Sequence, residues 1–484
     1  MEPRPWSITI NRFDGYAPAF WEDEWLTLGN RGHASRMQNV DMINPNVLTQ
    51  GPGLLNLTNG DQSAAVTTLI KGLMRVSPDG TNIFGVGGNK FYKLTSSVVA
   101  SDANFPHTID KAAVTSEDGE DVAYYGGVYW FSYNHSGNAG DVGIYDPNAG
   151  TFDDDYMSTA PSGNAALQGG VPHQLIAGGD DQLYIANGRY MARLNGGVFV
   201  AQALDLPAGE VIVSHCWTGG KLYMATNLPN TTSSIQAESS IYIWDGTSDS
   251  WEYQIKVIGR IGALYVKGGI IYVFYQDPSS VGGFKIGVVS GASIQDIAHF
   301  TGSLPQYYQV SETKNHLIWI SDGLIWAYGA PANNLGAKLF QYADAGYSTG
   351  GGLTNAFATP MVASSDGTNC RLANFSGYDT NGSWKSLMFD LADGDQKAII
   401  DKIAVFTNPI VSGAKLDLIL QTNYGANQKT LEQINVVNRT KHVVLRDSFE
   451  LENCRLDLSF ANGSTVYPVQ IRKIIISGHF VDDI

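Results

Sequence analysis

Residues 122–133 read VAYYGGVYWFSY, two aromatic-rich runs joined by a Gly-Gly pair. Gly-Gly and Asp-Gly suit the positive φ angles of a tight hairpin turn, and aromatic or β-branched residues suit half-buried strands. The pattern occurs six more times, in LMRVSPDGTNIF (73–84), LIAGGDDQLYIA (175–186), CWTGGKLYMA (216–225), LYVKGGIIYVFY (264–275), QVSETKNHLIWIS (309–321) and MVASSDGTNCRLA (361–373). The turn markers are spaced 40 to 53 residues apart and are Gly80, Gly127, Asp180, Gly220, Gly269, Asn315 and Gly367. A hairpin repeated at this period predicts a β-propeller.

A third strand follows most of these hairpins, as in FYKL (91–94), VGIYD (142–146), YMARL (190–194) and SIYIWD (240–245). Each period therefore predicts a blade of three or four strands. The seventh unit has no clear third strand before Trp384, so it is either incomplete or closed by a strand from elsewhere in the chain. The expected fold is an all-β propeller of six or seven blades.

The segments that flank the repeats predict an extended N-terminal arm (1–45) and a C-terminal β-sandwich module (381–484) around a propeller that spans 46–380. Strict alternation in KLDLIL (415–420) and RLDLSF (455–460), with turn signals between the runs, is typical of a sandwich. Charge is nearly balanced in this module, so almost all of the net charge of −16 lies before it. The arm has no repeat and carries aromatics that we expect to be buried against the ring or a neighbouring subunit, namely Trp6, Phe13, Tyr16, Phe20, Trp21 and Trp25.

The N-terminus and the charge limit the compartment and the partners that we expect. Glu2, Pro3 and Arg4 are followed by no apolar signal-peptide core, and no apolar run approaches the roughly 20 residues that span a bilayer. The sequence therefore predicts no membrane span and no secretory signal. A net charge of −16 without clustered Lys and Arg argues against nucleic-acid binding.

Motifs that carry chemistry are scarce. Gly346–Gly350 matches the G-x-S-x-G pattern, but it lies in a Gly-rich stretch, AGYSTGGGLTN, that predicts a loop with no helix after it. The nine histidines form no HExxH pattern, and no phosphate-binding loop is present. Cys216, Cys370 and Cys454 lack CxxC spacing, which favours small buried hydrophobes over a disulfide framework or a zinc site.

Acidic runs offer candidates for a cation. Asp153–Asp155 and the turn at Asp393–Asp395 could hold calcium, but neither follows the twelve-residue calcium-loop pattern. The turns at Ser77–Thr81 and Ser364–Thr368 are superficially similar to the Asp-box of sialidases, but they lack its spacer and its closing Trp. They therefore favour hairpin turns over glycosidase activity. We predict no catalytic, cofactor-binding or metal-binding residue, no cofactor, and no enzyme activity.

The layout resembles that of virion structural proteins of tailed bacteriophages, in particular propeller-bearing tail-tube or nozzle proteins of short-tailed phages. The resemblance is carried by an arm of the type RFDGYAPAF (12–20) and a terminal strand of the type RKIIISGHF (472–480). It implies a non-catalytic DNA conduit in the tail of the virion, assembled in the host cytoplasm as a ring such as a homo-hexamer. Its expected partners are the portal adaptor and tail fibres, with no sequence-specific binding of nucleic acid.

Two other functions remain open from the sequence. The first is a carbohydrate-binding or glycan-cleaving propeller with a lectin-like C-terminal module. This hypothesis predicts aromatics on one loop face, convergent acids in a pocket, and export of the protein from the cell. A glycosidase needs two carboxyl groups across a pocket, and none of the many acids stands out. The second is an intracellular propeller scaffold that binds other proteins.

Overall fold

The computed structural model describes residues 4–13, 15–16, 33–43, 46–59, 66–96, 98–99, 105–111, 117–135, 139–159, 167–228, 238–277, 282–313, 316–330, 337–357, 359–391, 396–446, 448–460 and 464–482. These residues form short strands almost throughout, with one helical turn, α1 (Tyr156–Thr159), and two 3₁₀ turns, at Tyr307–Gln309 and Asn423–Gly425. No helix in these ranges is long and apolar enough to cross a membrane. The predicted all-β class is confirmed.

The N-terminal strands are β1 (Arg4–Ile10), β2 (Gly15–Tyr16), β3 (His33–Gln38), β4 (Val40–Asp41), β5 (Thr49–Gln50) and β6 (Pro52–Asn56). Blade 1 follows with β7 (Thr58–Asn59), β8 (Gly72–Leu73), β9 (Ile83–Gly87), β10 (Lys90–Leu94), β11 (Val98–Val99) and β12 (His107–Thr108). Blade 2 contains β13 (Asp118–Tyr125), β14 (Val128–His135), β15 (Ala139–Asp146), β16 (Thr151–Asp153) and β17 (Leu167–Gln168). Blade 3 contains β18 (Leu175–Ala177), β19 (Leu183–Asn187), β20 (Tyr190–Asn195) and β21 (Val198–Asp205).

Blade 4 contains β22 (Val211–Thr218), β23 (Lys221–Asn227), β24 (Glu238–Trp244) and β25 (Tyr253–Ile258). Blade 5 contains β26 (Arg260–Lys267), β27 (Ile270–Gln276), β28 (Gly283–Ser290) and β29 (Ser293–Thr301). Blade 6 contains β30 (Val310–Thr313), β31 (His316–Ser321), β32 (Leu324–Gly329) and β33 (Lys338–Asp344). Three strands of blade 7 follow blade 6 in sequence, namely β34 (Thr349–Thr354), β35 (Met361–Ser365) and β36 (Cys370–Tyr378).

Blade 7 is completed by β6, which comes from the start of the chain. The sheet order is β34-β35-β36-β6, and Leu54 of β6 pairs with Phe375 of β36 in antiparallel register. In the described residues the propeller therefore has seven blades, and the fourth strand of the last blade precedes the first blade in sequence. This is one of the two arrangements that the sequence left open for the seventh unit.

The Gly-rich stretch that predicts a loop is instead the first strand of blade 7. A side chain at Gly351 would place its Cβ 2.5 Å from the carbonyl oxygen of Ile70, and one at Gly352 would lie 2.5 Å from that of Lys71. Only glycine allows two blades to approach so closely at these positions. The prediction of a loop was therefore wrong, because the strand lacks the side chains that mark a strand in sequence.

Neighbouring blades pack face to face through separate apolar clusters. Between blades 3 and 4, for example, the fully buried Tyr184 and Trp244 meet edge to face with ring centroids 5.9 Å apart. Such a pair adds about 0.5–1.5 kcal/mol to the burial of its rings. The ring is thus stabilised by contacts between sheets as well as by pairing within each sheet.

The C-terminal strands are β37 (Ser383–Ser386), β38 (Phe389–Asp390), β39 (Gln396–Thr407), β40 (Asp417–Thr422), β41 (Asn427–Thr430), β42 (Lys441–Leu445), β43 (Phe449–Leu451), β44 (Asn453–Ser459) and β45 (Ile471–Asp482). They form two sheets that also take up strands of the N-terminal segment, in the orders β1-β45-β39-β42 and β2-β3-β37-β44-β40-β41. The predicted C-terminal sandwich is confirmed.

The described part of the N-terminal arm packs into this sandwich. Phe13 is fully buried and meets Trp384 edge to face, with ring centroids 5.6 Å apart. Trp6 lies 6.2 Å from Phe480, centroid to centroid. Phe20, Trp21 and Trp25 lie outside the described residues. One apolar cluster runs from the sandwich into blades 6 and 7, so the two parts share a continuous core.

Candidate functional site

A cavity of approximately 470 Å³ opens at the axis of the ring, where the first strands of five blades end. Its walls are residues 74–76 and 78 after β8, 121–124 of β13, 175–177 of β18, 216–217 of β22 and 265–266 of β26. Because these strands follow one another around the ring, the cavity exists only once the blades are assembled. We call it the axial pocket.

Tyr307 connects blades that are not neighbours in the ring and contacts Arg75 of the pocket wall. It belongs to the 3₁₀ turn before blade 6, and its side chain is buried. Its hydroxyl donates to the backbone oxygen of Glu120 in blade 2 at 3.0 Å, and its own carbonyl accepts from Nη2 of Arg75 at 3.3 Å. Burial raises the pKa of Tyr307 well above its usual range, so the hydroxyl stays protonated and remains a donor. Tyr307 thus ties together blades 1, 2 and 6.

Arg75 is the cation of the pocket wall. It follows β8 and lies with its Cζ 5.3 Å from the ring centroid of Tyr265, in the geometry of a cation–π contact. Apart from its bond to the carbonyl of Tyr307, its guanidinium makes no hydrogen bond and no ion pair within the described ranges. Arg75 is exposed to solvent at the pocket wall, and most of its donors are available to a ligand.

Asp121 is the carboxyl group of the pocket wall. It lies at a bulge of β13, and its oxygens accept the backbone N–H groups of Val122 and Leu175, each at 2.9 Å. Burial raises the pKa of Asp121 to about 7, although the charge of Arg75 and the two hydrogen bonds oppose the change. Near neutral pH this group is therefore present in both the acid and the carboxylate form.

Blade 4 shows that the hydrogen bond between Asp121 and the next blade does not require a carboxyl group. Ser214 occupies the corresponding bulge of β22, and its Oγ accepts the backbone N–H of Leu264 in the next blade at 2.9 Å. A neutral hydroxyl thus makes the same link between blades without burying a charge. The carboxyl group of Asp121 exceeds what this link requires, which makes it a candidate for function.

Aromatic side chains border the mouth of the axial pocket. Tyr124 is 39% exposed, and Trp217 is partly exposed. Trp217 is held in place by stacking on Tyr184, with centroids 5.5 Å apart and planes 16° from parallel. The pocket therefore presents flat apolar surfaces at its mouth and two charged side chains, Arg75 and Asp121, in its wall.

A second polar cluster lies at the other end of the first strands. Lys71 is 2.5 Å from Asp118 and 3.1 Å from Glu120, measured from Nζ to the nearest carboxylate oxygen. Burial alone would lower the pKa of Lys71, but the two carboxylates hold it above its usual value. Burial raises the pKa of Glu120, and Lys71 opposes that change. One lysine thus lies between two carboxylates, and the cluster is a structural ion-pair network.

The candidates from the sequence lie elsewhere and do not converge. Ser348 is in the turn before β34, and a strand follows it in place of the helix of a nucleophile elbow. Asp79 and Asp366 each accept backbone N–H groups within their own turns, from Thr81 and Thr368 at 2.9 Å. These contacts agree with the hairpin-turn interpretation.

Asp153–Asp155 make local contacts. Oδ1 of Asp153 accepts the N–H of Asp155 at 3.0 Å, and Asp155 pairs with Lys111 at 2.9 Å. Asp393 and Asp395 lie outside the described residues. Within the described part, no group of three or more His, Cys, Asp or Glu side chains is placed to hold a metal ion.

The three cysteines are free thiols, and only Cys216 reaches the axial pocket. Burial raises the pKa of Cys216 to about 12, so its nucleophilic thiolate form is suppressed.

Comparisons with known proteins give fold similarity only. No protein-family model and no curated protein sequence matches the chain. Among solved structures, an exo-β-1,3-galactanase from Phanerochaete chrysosporium has a TM-score of 0.34 and 10% identity, covering 88% of this chain and 100% of its own. A glycoside hydrolase has a TM-score of 0.30 and 13% identity, covering 84% and 98%. The soluble aldose sugar dehydrogenase of Escherichia coli has a TM-score of 0.38 and 11% identity, covering 67% and 99%.

These neighbours contradict the function predicted from the sequence. Those that cover most of the chain are a galactanase and a glycoside hydrolase, so the prediction of a non-catalytic phage tail component, together with the prediction of no enzyme activity, was wrong. The similarity is one of fold alone.

Proposed function

We propose that the protein is a carbohydrate-binding β-propeller whose axial pocket holds a sugar ring. The observation that carries the proposal is the pairing of partly exposed Tyr124 and Trp217 at the mouth with Arg75 and Asp121 in the wall. A sugar ring has an apolar C–H face, on which an aromatic ring can stack, and hydroxyls that need both donors and acceptors. At approximately 470 Å³ the pocket falls within the range of small-molecule sites, roughly 300–1,000 Å³.

The test is a glycan array followed by titration calorimetry with the best ligand. We expect Trp217→Ala to weaken binding about tenfold or more, equivalent to about 1.4 kcal/mol, because the stacking surface is lost. Tyr253→Ala is the matched control, since Tyr253 is a 64% exposed aromatic on the outer strand β25. Binding of no glycan, or equal affinities for Trp217→Ala and the wild type, would refute the proposal.

Hydrolysis of the bound glycan is the second candidate function. The observation that favours it is the pKa of about 7 for Asp121, since a carboxyl group still protonated near neutral pH can protonate the oxygen of a leaving sugar. Glycosidases use two carboxyl groups, and Asp121 is the one that lines the pocket in the described part of the chain. This candidate therefore ranks second to binding.

Turnover of the array ligand by mass spectrometry tests this second candidate. If Asp121 is the general acid, the rate falls above about pH 7, because the carboxyl group loses the proton that it must donate. Asp121→Asn should lose at least about a hundredfold in rate, whereas Asp205→Asn on the exposed end of β21 should keep it. A bound glycan that stays intact, or an Asn variant as active as the wild type, excludes hydrolysis by Asp121.

A further inference from the structure

We infer, building on the proposed function, that the sugar held in the axial pocket carries a carboxylate, and that Arg75 receives that group. The ligand class is thus an acidic sugar such as a uronic acid at the end of, or within, a glycan. The following contacts support this assignment.

Arg75 is fixed in the pocket by neutral partners. Its guanidinium lies over the Tyr265 ring at 5.3 Å, and its Nη2 donates to the carbonyl oxygen of Tyr307 at 3.3 Å. A guanidinium has five N–H donors in a planar fork. Arg75 lines the cavity, so its remaining donors are available for the two parallel bonds of an arginine–carboxylate pair.

Arg75 is exposed and forms no salt bridge within the described residues, although its charge acts on Asp121 and opposes the rise in the pKa of that group. Two half-buried lysines of the propeller do form ion pairs, Lys71 with Glu120 and Lys285 with Asp277. The chain as a whole carries a net charge of −16, which repels an anion. An unpaired arginine fixed in the wall of a cavity therefore provides a local attraction for an anionic ligand against that background.

Asp121 makes the attraction dependent on pH. The titratable groups that interact with Arg75 are Asp121, His215, Cys216, Tyr265 and Tyr307. Burial lowers the pKa of His215 to about 3, and it raises the pKa of Cys216 to about 12 and those of both tyrosines, so these four stay neutral from pH 6 to pH 8. Glu120, next to Asp121, is paired with Lys71 at the other end of the strand.

Asp121 loses its negative charge as the pH falls through about 7. Arg75 then has no nearby carboxylate to oppose its positive charge. We therefore expect an acidic sugar to bind more tightly at pH 6 than at pH 8, by roughly three- to tenfold, and a neutral sugar to show no such change.

The experiment compares matched pairs of ligands, methyl glucuronide with methyl glucoside and methyl galacturonide with methyl galactoside, by calorimetry or ligand-observed NMR. The wild type should bind the better acidic member about tenfold more tightly than its neutral partner. Arg75→Met, which keeps the length of the side chain and removes its charge, should bring this ratio to about one. Arg260→Met is the matched control, since Arg260 is an exposed arginine at the start of β26, outside the pocket, and should keep the wild-type ratio.

The outcomes separate the two proposals. If the wild type binds neither member of either pair, nor longer glycans, the proposed function fails and this inference with it. If it binds acidic and neutral sugars equally, or if Arg75→Met keeps the preference, the inference alone is overturned. Preference for a sulfated sugar over its uronic acid counterpart would likewise overturn the assignment of a carboxylate. Loss of the pH dependence in Asp121→Asn, with the acidic preference retained, supports it.

Discussion

The buried histidine His173 should make the stability of the ring depend on pH. It lies just before β18 with no exposed surface, and its Nδ1 is 2.8 Å from the carbonyl oxygen of Ala186. Its Nε2 faces Gly140, where a Cβ atom would come within 2.2 Å. Burial lowers the pKa of His173 from 6.5 to about 4, although the bond to Ala186 opposes this. The folded protein therefore holds His173 in its neutral form.

The sign and size of the effect follow from linkage. Below pH 6.5 the unfolded chain takes up a proton at this position and the folded chain does not, so stability is lost as the pH falls toward 4. The difference in pKa corresponds to about 3 kcal/mol. We expect His173→Asn to be less stable than the wild type at pH 7.5, and the wild-type advantage to shrink by about 3 kcal/mol at pH 4.

Urea unfolding followed by tryptophan fluorescence at a series of pH values measures this difference. The comparison with a variant cancels the titration of all other groups, including Asp121. Ser132→Ala is the control, because Ser132 Oγ donates to the carbonyl oxygen of His173 at 2.6 Å but does not titrate. Its deficit, about 1 kcal/mol, should be the same at every pH. Parallel curves for His173→Asn and the wild type between pH 7 and pH 4 would refute the reasoning.

Two further predictions concern buried charges and thiols. Lys71→Met should lower the free energy of unfolding by about 3 kcal/mol at pH 8, because the carboxylate of Glu120 stays buried without its cation. At pH 4 the loss should be smaller, since burial raises the pKa of Glu120 and favours its neutral form. Equal losses at both pH values in urea titrations would contradict this. Iodoacetamide at pH 8 should label Cys370, which is partly exposed, well before Cys216 and Cys454, since burial raises the pKa of each of these two thiols to about 12. Mass spectrometry reads the labels, and all three should react in urea; equally fast native labelling of Cys216 would show that its surroundings are open.

The sequence predicted the propeller because hairpin turns are coded locally. Gly127 and Gly220, for example, have positive φ between the first two strands of their blades, as the repeat required. Gly367 lies one strand later, between β35 and β36, because the first strand of blade 7 is built from glycines that sequence patterns assign to loops. The strand that completes this blade could not be assigned from its neighbours, since its partner is more than 300 residues away.

The axial pocket could not be recognised from any motif. Arg75, Asp121, Trp217 and Tyr307 come from four blades and meet only when the ring closes. A signal was present nonetheless, in the form of a charged residue within an apolar run, as in LMRV (73–76) and DVAYY (121–125). In a strand directed at the axis, such a residue has to be paired, used as a link between blades, or available to a ligand.

The pairing of the two ends of the chain fixes an order for folding. During synthesis β6 emerges before any blade, yet its partner β36 follows only after the other six blades have been made. β1 waits still longer, because Ile8 pairs with Ile476 of β45. Throughout that time both strands have unpaired edges, which are prone to join other chains. Closure therefore depends on contacts of very high sequence separation, and refolding of the full chain should be slow and sensitive to protein concentration.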